Sequence, residues 1–157
     1  QLNNRLSRLT TGISTIYVGG ATEVEQVERK ERVDDAVNAC RHALDSGVVI
    51  GGGATLYHAS QALSEAGYGG DVFELFESGL LTPIKNIITN SGSTRWEGSK
   101  YSLDKGYYMC GKTAEMRKAK DDGVYDPVNV VINSLESAVS VAALVLMTDA
   151  AIIAPKE

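Results

Sequence analysis

The sequence predicts a mainly α-helical fold with a few short strands, and three observations predict it. Of the 157 residues, 43% are hydrophobic but only 6% aromatic, so the core is built mostly from Val, Ala, Leu and Ile, which suit packed helices. Apolar residues recur at steps of three and four in several stretches, the spacing of one helix face. The β-branched runs are short and stop at glycine or proline, as brief strands do. The length suffices for one ordinary domain. With no initiator Met and a first residue already inside a helical pattern, the chain is expected to be a piece of a longer protein.

Charge and cysteine content narrow the function classes. Fifteen Lys plus Arg against 20 Asp plus Glu leave a net charge of -5, which argues against a polyanion-binding surface, so no nucleic acid partner is expected. Cys40 and Cys110 have no CxxC spacing and imply neither a disulfide framework nor a metal knuckle; a reducing compartment follows. The longest nearly apolar run, Ala138 to Met147, is well short of the roughly 20 residues of a membrane span, so a soluble chain with no membrane partner is expected.

Leu2, Leu6 and Leu9 form one apolar stripe on a helix that Gly12 ends. Ile13 to Val18 reads as a strand that stops at Gly19-Gly20. Thr22-Glu23-Val24-Glu25 is a capping box: the Thr hydroxyl accepts from the N3 amide and the Glu carboxylate reaches back toward the cap amide. The long helix that follows carries Val33, Val37, Cys40 and Leu44 on one stripe and stops at Gly47. Asp35 lies about 200 degrees round from Val33, on the polar face, where a carboxylate is ordinarily just solvated.

Val48-Val49-Ile50 leads into Gly51-Gly52-Gly53 and a helix from Ala54 to Ala66. A glycine triplet at a helix entrance either lets backbone approach a ligand or serves as a joint or tight packing point. Gly67 to Gly70 is a turn. Val72 to Leu81 and Pro83 to Thr89 read as two helices, with Thr82 as a cap and Pro83 at the first helical position. Gly92 to Lys105 is a loop. Pro127 starts a last helix whose residues Val128 to Met147 are apolar almost all round, the pattern of a helix buried on every side at the centre of the core. Ala151 to Ala154 ends the pattern as a short strand.

His42 and His58 lack partners at metal or triad spacing and receive no role. Gly106-Tyr107-Tyr108-Met109-Cys110-Gly111-Lys112-Thr113 satisfies G-x-x-x-x-G-K-[ST], the phosphate loop of P-loop NTPases. That loop needs an apolar strand before it and a helix after it. Tyr101 to Lys105 is a poor buried strand, two Tyr and a Met crowd the loop interior, and the βαβ alternation of that fold is missing.

Several separated motifs share one register. Arg32-Val33-Asp34-Asp35-Ala36, Gly47-Val48-Val49-Ile50-Gly51-Gly52-Gly53, Asp126-Pro127 and Ser137-Ala138-Val139-Ser140-Val141-Ala142-Ala143-Leu144 resemble, in order and spacing, the C-terminal part of a group I chaperonin of the GroEL type. Ile13 to Val18 followed by Gly19 to Glu25 fits the same family, and the resemblance covers essentially the whole chain. It implies a helical bundle from a chaperonin equatorial domain, with part of the intermediate domain and short strands: residues 1–13 close the apical domain, 14–46 are the returning half of the intermediate domain and 47–157 the second half of the equatorial domain.

The resemblance also implies a function. The subunit would be an ATP-driven folding chaperone, with Asp35 in the place of the catalytic carboxylate that orients the water attacking the γ-phosphate. Gly51, Gly52 and Gly53 match the segment bordering the nucleotide, and Asp126 the acid that accepts from ribose hydroxyls. Met109-Cys110-Gly111-Lys112 departs from the family's Tyr-Asn-Ala-Ala; Cys110, Gly111 and Lys112 fall where the base is contacted, with Cys110 replacing an amide side chain. ATP and Mg2+ are the implied cofactors, the metal ligand and phosphate loop being expected upstream of Gln1. Implied partners are unfolded polypeptides, a co-chaperonin lid and identical subunits in a seven-membered ring. The implied compartment is the cytoplasm if bacterial, otherwise the mitochondrial matrix or plastid stroma. This piece alone is expected neither to bind ATP well nor to hydrolyse it. A P-loop NTPase using Gly106 to Thr113 and an inactive structural relative are the alternatives.

Overall fold

The computed structural model describes residues 14–92 and 103–150. The expected first helix at Leu2 to Leu9 and the terminal strand at Ala151 to Ala154 lie outside the described residues, as does most of the loop before Lys105. The chain divides into two compact units, Gln1–Asn38 and Ala39–Glu157.

In the first unit, residues 14–18 form no strand: Ile16 and Tyr17 stand exposed, and no strand pairs with them among the described residues. The β-branched run supplies propensity, but a strand exists only where a neighbour takes its hydrogen bonds. The helix α1 spans Glu23–Ser46. Half of its capping box forms as expected, with Glu25 N donating to Thr22 Oγ1 at 3.2 Å; the Glu25 carboxylate reaches one residue beyond the cap amide, Oε2 accepting from Ala21 N at 2.8 Å. Arg29 ties the preceding segment down by donating to Gly19 O at 2.7 Å. Because none of α1 is buried, its start rests largely on this cap. Thr22→Ala should therefore cost about 1 kcal/mol and fray the first turn, read as faster amide exchange at Glu25 and Gln26; unchanged exchange would show that the Arg29 tie suffices without the cap.

In the second unit, α1 ends where Gly47, at φ +80°, donates to Ala43 O. The strand β1, Val48–Ile50, follows, then α2, Ala54–Glu65. The helix α3 spans Asp71–Asn90 without a break, with Pro83 inside it, which corrects the expectation of two helices. Thr82 does not cap; its Oγ1 donates to Ser78 O one turn back. An internal proline costs about 3 kcal/mol. Leu80, Ile84 and Ile88, on both sides of it, are at most 2% exposed. Each contributes roughly 1.5–3 kcal/mol by burial, enough to hold one helix across the proline.

The hairpin β2, Tyr107–Met109, and β3, Met116–Lys118, packs on α2 and α3 through β2. Tyr108 faces Arg117 across the antiparallel ladder. A single turn of helix, α4 (Ala119–Asp122), leads to β4, Tyr125–Pro127, which pairs antiparallel with β1 in the register Val49 to Asp126. The core consists of Ala54, Tyr57, Ile84, Ile88, Leu103, Tyr108, Met109, Cys110 and Ala119. Ser60, fully buried on α2, donates to Glu77 Oε1 of α3 at 3.2 Å.

The last helix, α5, spans Val128–Leu146, and its start is fixed by Val128 N donating to Gly47 O. It is not the buried centre of the core: none of its residues is buried, and Val141, Leu144 and Leu146 are 60–78% exposed. Apolarity all round states a need for cover, and the described residues do not supply it. At 19 residues and mean hydropathy 1.7, α5 is also long and apolar enough to cross a membrane by length and composition, which the shorter run Ala138 to Met147 did not suggest.

Candidate functional site

The turn from β1 into α2 is made of three glycines, each for a different steric reason. A Cβ on Gly51 would stand 3.1 Å from Asp126 Oδ1 and 3.1 Å from Val124 Cγ1, so the missing side chain leaves room for the Asp126 carboxylate. Gly52 and Gly53 have φ of +67° and +75°, the left-handed region that other residues enter only with strain. A Cβ on Gly52 would lie 3.3 Å from Tyr108 Cδ2, and one on Gly53 only 2.9 Å from Ile84 N.

Asp126 arrives by the β1–β4 pairing. Its neighbour Val124 accepts from Gly51 N at 3.1 Å, which locks the carboxylate beside the first glycine. Asp126 is half-buried, with its charge at the wall of a cleft of about 420 Å³. Ile50, Gly53, Leu56, Leu80, Pro83 and Val131 are among the residues that complete that wall. Among the described residues the cleft lining carries no cationic side chain, so this face offers a carboxylate, two hydroxyls and apolar surface but nothing to neutralise a triphosphate. The Asp126 carboxylate suits the sugar end of a nucleotide, since an ionised carboxylate is a strong acceptor for hydroxyls; the three glycines themselves are accounted for by the side chains and backbone packed against them.

The structure thus brings Gly51, Gly52, Gly53 and Asp126 together. Of these, Gly53 and Asp126 line the cleft; Gly51 and Gly52 do not, and neither do Cys110, Gly111 and Lys112, which are placed in the hairpin turn after β2. The Cys110 thiol is lowered to about 7 by hydrogen bonds from the Lys112 and Thr113 amides and the Thr113 hydroxyl, with burial opposing them. Asp35 belongs to the first unit, where it is exposed on α1. Among the described residues no group of three or more His, Cys, Asp or Glu is placed to hold a metal ion.

The P-loop alternative fails on geometry. Tyr107 to Met109 is itself a strand, Gly111 to Thr113 is the hairpin turn, and β3 rather than a helix follows. No helix N-terminus therefore faces the turn amides, which is what that motif requires. At His58, burial first, then Lys105, lower the imidazole, and its Nε2 has no hydrogen-bond partner among the described residues.

Three residues escaped the sequence reading. Tyr108 Oη donates to Asp122 Oδ2 at 2.9 Å, and Asp122 Oδ1 pairs with Arg117 at 2.8 Å. Burial first, then Asp122, push the Tyr108 phenol up to about 12. The signal available was the pair of three-residue runs flanking a glycine turn, but the six residues between them exceed the usual short hairpin loops.

Residues 6–156 match the TCP-1/cpn60 chaperonin family. The chain is 38% identical over 160 residues to Chaperonin GroEL from Orientia tsutsugamushi, an alignment covering 97% of this chain and 29% of that protein. It is also similar in fold to the crystal structure of a group III chaperonin in the open state, with a TM-score of 0.71 at 24% identity over 90% of this chain and 32% of the other. The chain therefore spans under a third of the length of these relatives.

Proposed function

Because the chain belongs to the TCP-1/cpn60 chaperonin family, we propose that it is a section of an ATP-driven protein-folding chaperone subunit and contributes the sugar-facing side of its nucleotide site. The observation that carries this reading is the Asp126 carboxylate held against Gly51 by the β1–β4 pairing. An acceptor beside side-chain-free backbone is what a ribose needs, and a cleft wall without cations leaves the phosphates to residues elsewhere in the subunit. Mg2+ and its ligand belong with those phosphates.

In the same reading, residues 1–13 end an apical domain, 14–46 belong to an intermediate domain and 47–157 to an equatorial domain. Asp35 then sits on the intermediate arm and orients the hydrolytic water, so that hydrolysis follows closure of the arm. The exposed apolar surface of α5 is covered by the remainder of the subunit rather than by lipid. The partners are non-native polypeptides, a co-chaperonin lid and identical subunits in a ring, seven by family resemblance. The compartment is the bacterial cytoplasm, or the matrix or stroma of an organelle.

Calorimetry on the full-length protein tests the site. Asp126→Ala should weaken ATP binding about 10- to 100-fold, the worth of a charge-assisted hydrogen bond of roughly 1.5–3 kcal/mol. Lys112→Ala, which removes an exposed cation in the hairpin turn, should change affinity by less than about threefold. Loss of all binding in the Lys112 variant with none in the Asp126 variant would reverse the assignment. A full-length protein that binds no ATP would instead be an inactive structural relative.

A further inference from the structure

The turn at Gly51 to Gly53 is backed by a side chain to which the nucleotide reading gives no task. An added Cβ at Gly52 would meet Tyr108 Cδ2 at 3.3 Å, Tyr108 Cβ at 3.8 Å and Met109 O at 3.9 Å, so the ring and its strand stand directly against this glycine. The far end of the ring is fixed as well. Tyr108 Oη donates to one oxygen of Asp122, and Arg117, the residue opposite Tyr108 in the hairpin, holds the other. Tyr108 is only 8% exposed. Moving the ring away would strand a buried hydroxyl and break the contact with Gly52 together.

We propose that Tyr108 is a positioning residue for nucleotide binding: its ring, pinned by Asp122 and Arg117, sets where the Gly52 backbone stands and so how a nucleoside meets the glycine turn. This rests on the nucleotide reading of that turn. A glycine at φ +67° has no side chain of its own to hold it, and glycine populates both signs of φ about equally. A rigid wall removes that freedom before the ligand arrives, which strengthens binding by lowering the ordering cost.

The test uses the full-length protein and reads KM for ATP, kcat and the thermal midpoint in Tyr108→Ala, Tyr108→Phe and Asp122→Asn. Tyr108→Ala should raise KM about tenfold with kcat within about twofold, the pattern of lost ground-state binding. Tyr108→Phe keeps the wall and loses the pin; it should recover most of that loss, leaving KM about threefold above the starting value, and Asp122→Asn, which keeps one acceptor oxygen for the phenol but loses the charge that holds Arg117, should raise KM by no more than that. A lowered thermal midpoint with KM unchanged in all three variants overturns the proposal, since a merely structural tyrosine behaves that way. If the Ala variant does not fold, unchanged KM in the Phe and Asn variants is sufficient to overturn it. Absence of ATP turnover in the unsubstituted protein overturns the nucleotide reading and this inference together, whereas normal turnover there with unmoved KM values in the variants removes the inference alone.

Discussion

Replacing Asp35 by Ala in the full-length protein should cut steady-state ATP hydrolysis about 100-fold or more while leaving ATP affinity within about threefold. The expectation follows from the role proposed for Asp35. In phosphoryl transfer the protein contributes mainly positioning and charge stabilisation, and one carboxylate that orients the attacking water carries a large part of that effect. Asp35 is exposed on α1, makes no contribution to the core, and lies in a different compact unit from Gly51 and Asp126. Its removal should therefore spare folding and ground-state binding. Single-turnover hydrolysis alongside equilibrium binding separates the two effects. Turnover unchanged by Asp35→Ala would remove this residue from the mechanism.

The second large effect is on stability. Gly53→Ala should destabilise the protein by about 2–5 kcal/mol, combining roughly 1–2 kcal/mol for forcing an L-residue into the left-handed region with roughly 1–3 kcal/mol of overpacking. The overpacking is specific, because the new Cβ would stand 2.9 Å from Ile84 N and 3.2 Å from Ile84 Cα, inside the backbone of α3. Ile84 is fully buried and cannot step aside without separating α2 from α3. Gly67→Ala is the control. Gly67 has φ of +85° but nothing within 4 Å of an added Cβ, so only the conformational strain, about 1 kcal/mol, should appear there. Urea midpoints of the two variants make the comparison; equal losses would show that the α2–α3 contact at Gly53 yields easily.

Part of this was readable in order along the chain. Thr22 and Glu25 announced the start of α1 and Gly47 its end, because a cap is satisfied within a few residues of itself. The helix from Ala54 was placed to within a residue by the glycines before it and the Gly67 turn after it. The glycine triplet was a candidate site from pattern and family resemblance together. What pattern could not show was why each glycine is needed, since the groups that exclude a side chain are Asp126, Tyr108 and Ile84, all distant in sequence.

The errors share one cause. Pro83 looked like a helix start because its local cost is visible in sequence, while the burial of Leu80, Ile84 and Ile88 that outweighs it is not. Residues 14–18 looked like a strand because propensity is local, while pairing is not. The P-loop pattern at Gly106 to Thr113 fitted by letter alone, and the hairpin it occupies puts a strand where a helix was needed.

By itself, then, the sequence determined the caps, the helical periods and, through several motifs in one register, the chaperonin family. Capping and amphipathic spacing are interactions over one or two turns, and a family's motifs are carried by residue order. Only the tertiary structure decided that Gly51 and Asp126 meet, that Tyr108 backs Gly52, and that α5 keeps its apolar surface uncovered in this section of the chain. Burial depends on what else is present to pack, and α5 is an apolar helix whose covering partners are not among the described residues.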